Sequence, residues 1–244
     1  MSFDLSGRTA LVTGSSRGIG LALARALAAA GARVAVNGRT PEAVDAVVAE
    51  IDGSVAAPFD VTDEAAVVRA VEALGAVDIL VNNAGITLRR WLVDLEPADW
   101  RHVLDVNLTS AFVVARAVAP GMIERGRGKI VNVCSVLSEL GRPTTGAYAA
   151  AKGGLKMLTR SMCAEWARHG IQANGIAPGY FRTDLNEALQ SDAEFDAWLR
   201  ARTPAARWGE PDELGGAVVF LASSASDFVN GQLLVVDGGL SAVV

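Results

Sequence analysis

The strongest constraint on the fold is a rhythm that runs through the whole chain. A short apolar segment rich in β-branched residues is followed by a turn and then by a longer Ala-rich segment with helical periodicity. Because the short segments are apolar on both faces, they fit strands of a parallel sheet that helices cover on each side. The sequence predicts seven strands, at 9–12, 33–36, 55–59, 78–81, 129–133, 171–175 and 233–236. It predicts helices at about 18–30, 41–50, 63–74, 97–125, 147–169 and 211–222.

This alternation predicts an α/β fold: a single doubly wound Rossmann domain over residues 1–244, with a mostly parallel seven-stranded sheet. Composition agrees, since 51% of the residues are hydrophobic and 20% are charged, which excludes a disordered chain. Residues 178–210 break the rhythm between the sixth strand and the next helix. An irregular segment of this length is typical of a lid over a functional site, which we place at about 180–210.

The charge balance argues against two classes of partner. The net charge is −5, which gives no electrostatic basis for binding nucleic acid or an anionic membrane. We expect neither a membrane span nor a signal peptide, because the sequence has no sufficiently long apolar run. Cys134 and Cys163 lack the spacing of metal ligands, so no metal site is predicted. We therefore expect a cytoplasmic protein with reduced cysteines that acts on a small molecule.

A glycine-rich turn follows the first predicted strand and opens the first helix. Glycines let the backbone approach a pyrophosphate, and the helix N-terminus offers free N–H groups and a positive dipole end. This context favours a dinucleotide site over a plain tight turn, although the spacing Gly-x-x-x-Gly-x-Gly has a longer first step than the usual fingerprint. The candidate cofactor residues of the turn are Gly14, Ser16, Arg17, Gly18, Ile19 and Gly20.

The end of the second strand bears on the choice between NAD and NADP. An acidic residue there would bind the adenosine ribose 2′-hydroxyl and repel a 2′-phosphate. The chain instead has Asn37 and Arg39 at this place, and Arg17 lies in the glycine turn. Two guanidinium groups facing one phosphate favour NADP over NAD, and the alternative is a pair of solvated surface arginines. Further cofactor contacts, or plain turns, are expected at Asp60, Val61, Asn83, Ala84 and Gly85.

Four residues form a candidate catalytic set. Tyr148 and Lys152 lie one turn apart on a predicted helix, and an ammonium near a phenol lowers the phenol pKa. The alternative for these two is an ordinary pair on a helix surface. Ser135 ends the fifth strand at the sheet edge where α/β proteins bind ligands, and Asn107 lies inside a predicted helix, where Asn is unfavourable without a partner. A hydroxyl, a phenol and an amine at this edge can transfer protons to a carbonyl or from an alcohol.

A series of motifs along the chain resembles the short-chain dehydrogenase/reductase family over essentially the whole length. They are Thr13-Gly-x-x-x-Gly-x-Gly20, Asn82-Asn-Ala-Gly85, Asn107, Ser135, Tyr148-x-x-x-Lys152, Pro178-Gly179 and Val236-Asp-Gly-Gly239. The resemblance implies that Tyr148 transfers the proton and that Lys152 lowers its pKa and contacts the nicotinamide ribose. It also implies that Ser135 holds the substrate oxygen and that Asn107 anchors a water on the proton path. The resemblance further implies cofactor contacts at the start of the lid, at Pro178, Gly179, Phe181 and Thr183.

More narrowly, the segments 133–143, 177–183 and 202–209 and the run Asn37-Gly-Arg39 resemble family members that act on sugar acids such as gluconate and prefer NADP. This resemblance implies hydride transfer that interconverts a secondary alcohol and a ketone. Guanidinium binds carboxylate bidentately, so several arginines are candidates for the sugar-acid carboxylate, and one acid is a candidate for hydroxyl groups. These residues, for which solvated surface is the alternative, are Arg89, Arg90, Arg142 and Glu139.

Two other functions stay open at this point. One is reduction of a different carbonyl, such as a 3-oxoacyl thioester or a steroid ketone, and the other is a dinucleotide-binding scaffold without turnover. The complete set of Ser135, Tyr148 and Lys152 argues against the scaffold. The long Ala-rich helices at 97–125 and 147–169 exceed what one subunit can cover, and the family resemblance implies a homotetramer formed through them.

Overall fold

The computed structural model describes residues 2–243 and places seven strands in one sheet, in the order β3-β2-β1-β4-β5-β6-β7. All neighbouring pairs among these strands are parallel, so the predicted doubly wound sheet is confirmed and is entirely parallel in this part of the chain. The strands are β1 (Thr9–Val12), β2 (Arg33–Gly38), β3 (Val55–Pro58), β4 (Ile79–Asn82), β5 (Gly128–Val133), β6 (Ile171–Pro178) and β7 (Leu233–Val236).

The α-helices follow the predicted alternation, with some differences at their ends. The first turn of the predicted helix 211–222 is a 3₁₀ turn, Pro211–Leu214, and β6 runs on to Pro178 rather than ending at Gly175. The described α-helices are α1 (Gly18–Ala29), α2 (Pro41–Val48), α3 (Glu64–Leu74), α4 (Pro97–Leu104), α5 (Ser110–Arg125), α6 (Gly146–Trp166), α7 (Glu187–Gln190), α8 (Ala193–Arg202) and α9 (Gly215–Ala222).

Two apolar cores lie on opposite faces of the sheet. Side chains alternate along a strand, so Ala10 and Val12 of β1 pack in one core and Leu11 packs in the other. The first core is completed by buried residues of α1, α2 and α9, and the second by buried residues of α3, α5 and α6. Burial on both faces explains why the strands read as continuous apolar runs instead of alternating with polar residues.

The predicted helix 97–125 is interrupted in its middle. Helix α4 ends at Leu104, the turn Asp105–Thr109 is π-helical, and α5 begins at Ser110. The side chain of Asn107 lies in this turn, with its Nδ2 atom 2.9 Å from the carbonyl oxygens of both Val103 and Ile86. The amide therefore supplies hydrogen bonds where the regular ladder changes register. Such π-turns are rare and often mark functional sites.

The run Pro97–Arg125 is long and apolar enough, by length and composition alone, to cross a membrane. Its most apolar 18-residue window has a mean hydropathy of 1.4, and 44% of that window is buried inside the fold. Val114, Val118 and Met122 of α5 pack in the second core, against the sheet. The apolar character of this run is thus that of a helix covering a sheet face.

The irregular segment 178–210 carries the two short helices α7 and α8. Its aromatic side chains pack together, with ring centroids between 5.2 and 6.4 Å apart. Trp208 is fully buried, and its Nε1 atom donates to Asp196 at 2.7 Å. The members of this aromatic cluster are Tyr180, Phe195, Trp198 and Trp208. The segment therefore has a small apolar core of its own beside the sheet.

Candidate active site

The candidate site lies at the carboxyl ends of the central strands. The strand order reverses direction between β1 and β4, and in open α/β sheets such a switch point opens a crevice at the carboxyl edge. The glycine turn follows β1, the Asn82-Asn83 pair ends β4, Ser135 follows β5, and Pro178 ends β6. The topology thus brings the predicted cofactor turn and the predicted catalytic serine to one edge.

The glycine turn has the conformation that its composition requires. Gly14 and Gly18 have φ of +62° and +55°, which side chains with a Cβ rarely adopt. A Cβ on Gly20 would collide with the carbonyl of Gly14 and the amide of Asn83. Nδ2 of Asn83 donates to the carbonyls of Thr13, at 2.9 Å, and Gly14, at 3.0 Å. The side chain of Asn83 therefore holds the turn, which leaves its backbone for the predicted contact with a cofactor.

The side chain of Asn37 holds the glycine turn in place. Its side chain is buried, and its Oδ1 atom accepts from the N–H of Gly14 at 3.0 Å. Both hydrogens of its Nδ2 group are used, with Ala57 O at 2.9 Å and Phe59 O at 3.1 Å. Asn37 ties the glycine turn to β2 and to the end of β3, so it has no donor left for a phosphate. Any cofactor contact of Asn37 therefore falls to its backbone, and the predicted contact stays a prediction.

Arg17 and Arg39 are both exposed, and neither forms an ion pair within residues 2–243. Gly38 directly precedes Arg39, and a Cβ there would stand 3.2 Å from Oγ of Ser16 and 3.0 Å from a methyl group of Val44. The sequence analysis did not select Gly38. The sequence signal that could have selected it is a glycine at the strand end, at the place where an acidic residue would repel a 2′-phosphate. This edge therefore combines two exposed arginines with a close approach of the glycine turn to the end of β2, which favours glycine at position 38.

Asp60 and Val61 follow β3 as predicted, but they differ in character. Hydrogen bonds from the hydroxyl and the N–H of Thr62, at 2.7 and 2.8 Å, hold the pKa of Asp60 below its usual value, and nearby Arg39 acts in the same direction. Val61 is buried in the second core. Because its side chain packs in the core, any contact of Val61 with a cofactor falls to its backbone.

The three catalytic candidates lie together. Ser135 is nearly buried and adopts extended backbone, and its Oγ atom accepts from the N–H of Leu137 at 3.1 Å. The Ser135 hydroxyl also faces Tyr148, where hydrogen bonding works to lower the phenol pKa. Nζ of Lys152 lies 5.7 Å from the centre of the Tyr148 ring. The predicted combination of hydroxyl, phenol and amine thus forms one cluster at the sheet edge.

The predicted effect of Lys152 on Tyr148 is not found in the protein alone. Nζ of Lys152 donates to the carbonyl of Val133 at 2.7 Å, and burial lowers the lysine pKa to about 8. Burial raises the pKa of Tyr148 to about 12, and the Ser135 hydroxyl only partly opposes this shift. Desolvation therefore outweighs the attraction of the ammonium at this distance. A phenolate at neutral pH needs positive charge beyond that of Lys152.

The buried ammonium makes the stability of the fold depend on pH. The pKa of Lys152 is about 8 in the fold, against a usual 10.5, so its charge destabilises the fold at pH 7. This cost is relieved as the pH rises from about 8 towards 10.5. Between pH 7 and 9.5, wild type should gain about 2 kcal/mol of unfolding free energy relative to Lys152→Met. Urea unfolding at the two pH values measures the difference.

Lys156 provides the matched control for that experiment. It lies one turn further along α6 and forms an ion pair with Glu139 at 2.6 Å. The stability difference between wild type and Lys156→Met should change little over the same pH range, because this pair is at the surface. Equal pH dependence for the two variants would contradict a specific cost of burying Lys152.

Asn107 positions the segment that follows β4. Oδ1 of Asn107 accepts from the N–H of Ile86 at 3.2 Å, and its Nδ2 donates to the carbonyl of the same residue. A Cβ on Gly85 would lie 2.7 Å from Oδ1 of Asn107, so only glycine fits there without displacement. The amide hydrogens of Asn107 are committed to protein carbonyls, and its predicted role as a water anchor stays a prediction.

The residues that begin the lid fall into two groups. Gly179 approaches Asp237 so closely that a Cβ would lie 2.7 Å from the aspartate Cβ, and a methyl group of Thr183 reaches the Gly18 turn. Phe181, in contrast, is 3% exposed and packs in the first core. This segment thus begins beside the glycine turn, and because the Phe181 side chain is buried, any cofactor contact of that residue falls to its backbone.

The four candidates for substrate contact do not lie together. Glu139 is exposed and paired with Lys156, and Arg90 is exposed. Arg89 and Arg142 are half-buried and lie close enough for the charge of Arg142 to lower the pKa of Arg89. Nη1 of Arg142 donates to the hydroxyl of Tyr180 at 3.1 Å. The sequence analysis missed Tyr180, although it is one of only two tyrosines and directly follows the Pro178-Gly179 motif.

Known proteins resemble this chain over nearly its full length. A family model described as "Enoyl-(Acyl carrier protein) reductase" matches residues 14–241. Gluconate 5-dehydrogenase of Gluconobacter oxydans (strain 621H) is 53% identical, over 98% of this chain and 96% of that protein. 5-Keto-D-gluconate 5-reductase of Escherichia coli (strain K12) is 51% identical, over 99% and 98%. A crystal structure of a gluconate 5-dehydrogenase from Burkholderia cenocepacia J2315, in complex with NADP and tartrate, has a TM-score of 0.96 and 57% identity, covering 99% of this chain and 98% of that one.

The parallel sheet and these full-length matches define an oxidoreductase with a Rossmann-type fold. The chain belongs to the short-chain dehydrogenase/reductase family. This confirms the family resemblance on which the motif analysis relied.

Proposed function

We propose that this protein is an NADP-dependent oxidoreductase that interconverts a secondary alcohol and a ketone on a sugar acid of the gluconate and 5-ketogluconate type. The observation that carries the proposal is the cluster of Ser135, Tyr148 and Lys152 at the sheet edge that also holds the glycine turn. The names of the gluconate 5-dehydrogenase and 5-keto-D-gluconate 5-reductase relatives support the substrate class.

The structure fits NADP better than NAD. Gly14 and Gly18 give the turn the open backbone that a pyrophosphate needs, and the N-terminus of α1 follows directly. Arg17 and Arg39 are exposed cations without an ion pair in the described chain, and no acidic residue stands at the end of β2. A 2′-phosphate would receive charge-assisted hydrogen bonds at this edge.

The roles of the catalytic residues follow from their chemistry. When bound, NADP supplies the hydride acceptor and, in its oxidised form, a positive charge on its ring. With that charge present, Lys152 would favour the phenolate of Tyr148, and Tyr148 would take the alcohol proton in oxidation and return it to the carbonyl oxygen in reduction. Ser135 donates to the same oxygen and stabilises the charge that develops there.

The remaining architecture serves this reaction. Residues 1–244 form one domain, in which the segment at about 180–210 closes over the substrate and excludes water. Thr183 against the Gly18 turn and the aromatic cluster at Tyr180 support a lid that contacts both cofactor and substrate. The negative net charge and the reduced state expected of Cys134 and Cys163 support a cytoplasmic location.

The protein is proposed to be a homotetramer. Helices α5 and α6 expose large apolar side chains, with Phe112 45% and Met157 54% accessible, on the faces that do not pack against the sheet. Covering these side chains with a second copy would remove apolar surface from water. Light scattering should therefore give a mass of about four chains of 25.3 kDa. A monomeric mass would contradict the proposal.

A substrate screen tests the proposed activity. NADPH absorbance would be followed with 5-ketogluconate, a 3-oxoacyl thioester and a steroid ketone, and NADP reduction with gluconate. We expect turnover of the sugar acids in both directions. Turnover of the thioester or the steroid alone would assign a different carbonyl substrate, and cofactor binding without turnover of any compound would favour the scaffold.

A further inference from the structure

Two guanidinium groups lie close together beside the candidate active site without an anion to neutralise them. Arg89 and Arg142 form no ion pair within residues 2–243. The Nε atom of Arg89 is buried and has no hydrogen-bond partner there. Burial lowers the pKa of Arg89, and the charge of Arg142 lowers it further. Two like charges at such a place are unfavourable unless an anion joins them.

Arg142 is fixed in place by the lid. Its guanidinium carbon lies 4.5 Å from the centre of the Phe195 ring and 5.8 Å from that of Tyr180. Nη1 donates to the Tyr180 hydroxyl at 3.1 Å. The guanidinium has five N–H donors in all, so others remain for a ligand. Stacking on aromatic rings orients a guanidinium without using up its hydrogen-bonding capacity.

Tyr180 connects this pair of cations with the catalytic cluster. It interacts electrostatically with Arg89, and it also contributes to the raised pKa of Tyr148. Tyr180 is therefore in direct contact with Arg142 and near enough to Arg89 and Tyr148 for its charge to affect both. An anionic group bound by Arg142 would therefore lie next to the hydroxyl of Tyr180.

The neighbouring charged residues are less suitable than Arg89 and Arg142 for binding an anion. Glu139 is paired with Lys156, and Arg90 is exposed at the surface. Arg89 and Arg90 also line an open cavity of about 510 Å³. Three carboxylates share that cavity but form no ion pair with Arg89 in the described chain, namely Asp94, Glu96 and Asp99.

We propose that Arg89, Arg142 and Tyr180 together form a carboxylate seat, which binds the acid group of the substrate while its secondary alcohol lies at Tyr148. This inference rests on the proposed function and assigns its substrate specificity to three residues. Guanidinium groups bind a carboxylate through charge-assisted, often bidentate, hydrogen bonds. Because Tyr180 belongs to the lid and the arginines do not, the substrate acid also links the lid to the body of the protein.

The first test compares an acid with a neutral compound of the same carbon skeleton. D-Gluconate and D-gluconamide are assayed with wild type, Arg89→Met and Arg142→Met, and Arg90→Met is the matched control. Each seat variant should lower kcat/KM for gluconate roughly 10- to 100-fold while gluconamide changes less than about threefold. Arg90→Met should leave both values near wild type. Equal losses for acid and amide would overturn the seat, because they would indicate a general structural role.

The second test separates the seat from the identity of the substrate. Calorimetry measures binding of tartrate, a small hydroxylated dicarboxylate, to the protein saturated with NADP. Arg89→Met and Arg142→Met should weaken tartrate binding at least about tenfold, Tyr180→Phe should weaken it about three- to tenfold, and Arg90→Met should not. If gluconate is not a substrate but this pattern holds, the seat stands and the proposed substrate is wrong. If gluconate is turned over and the seat variants bind tartrate normally, the seat is wrong.

Discussion

Replacing Tyr148 with Phe is expected to lower kcat for sugar-acid oxidation by about 10³-fold, because a positioned acid–base group contributes on this scale. The change removes only the hydroxyl oxygen that exchanges the proton and keeps the ring, which lies 5.7 Å from Nζ of Lys152. Lys152 and Ser135 remain in place, so the loss reports proton transfer and not collapse of the site. Steady-state assays with saturating NADP in both directions measure the effect.

Binding of NADPH provides the control for the Tyr148→Phe variant. The glycine turn and the exposed arginines Arg17 and Arg39 follow β1 and β2, whereas Tyr148 lies in α6. NADPH fluorescence should therefore give a dissociation constant within about threefold of wild type. Retained turnover would show that Tyr148 is not the acid–base group. A parallel loss of NADPH binding would assign Tyr148 a structural role instead.

The fold could be predicted from the sequence because local pattern and tertiary environment agree. Strands buried on both faces must be apolar throughout, and Val34, Ala35 and Val36 of β2 show this pattern directly. The interruption at Asn107 could not be read from periodicity, since the segment has helical composition on both sides. It depends on the backbone of Ile86, which the fold brings next to the helix from more than twenty positions away in the chain.

The positions of the catalytic residues were predictable, but their hydrogen-bonding and charge states were not. Motif spacing selects Ser135, Tyr148 and Lys152, and the fold places them together. The pKa of Tyr148 depends on how far its hydroxyl is removed from water. Only the packed structure shows this burial, which raises the pKa. In the same way, Asn37 looks free in the sequence, yet three backbone groups in two separate segments use its side-chain amide.

The contribution of the lid was the least accessible to sequence reasoning. Tyr180 is distant in sequence from Arg142, and the two meet only because β6 and the loop after Ser135 end at the same edge of the sheet. Long-range polar contacts of this kind leave no periodic signal. Specificity is for this reason harder to predict than catalytic class, since it depends on side chains from separate loops.

Replacing Arg39 with Asp should reverse the cofactor preference. The variant removes a guanidinium from the carboxyl end of β2 and adds a carboxylate that repels a 2′-phosphate and can accept from a ribose 2′-hydroxyl. A lost charge-assisted hydrogen bond together with new repulsion amounts to about 3 kcal/mol, so the ratio of kcat/KM for NADP to that for NAD should fall at least about 100-fold. Initial rates with both cofactors at one sugar-acid concentration measure the ratio.

Arg33→Asp is the matched control, because it makes the same charge change on the same strand at the opposite end. Arg33 is exposed at the start of β2, whereas Arg39 directly follows its carboxyl end. A general effect of net charge on cofactor attraction would lower the NADP/NAD ratio of kcat/KM equally in both variants. Added salt would weaken such an effect. A local 2′-phosphate site requires the change at Arg39 alone. If Arg39→Asp leaves the ratio unchanged, the 2′-phosphate is not bound by this arginine, and the preference must come from Arg17 or the backbone of the turn.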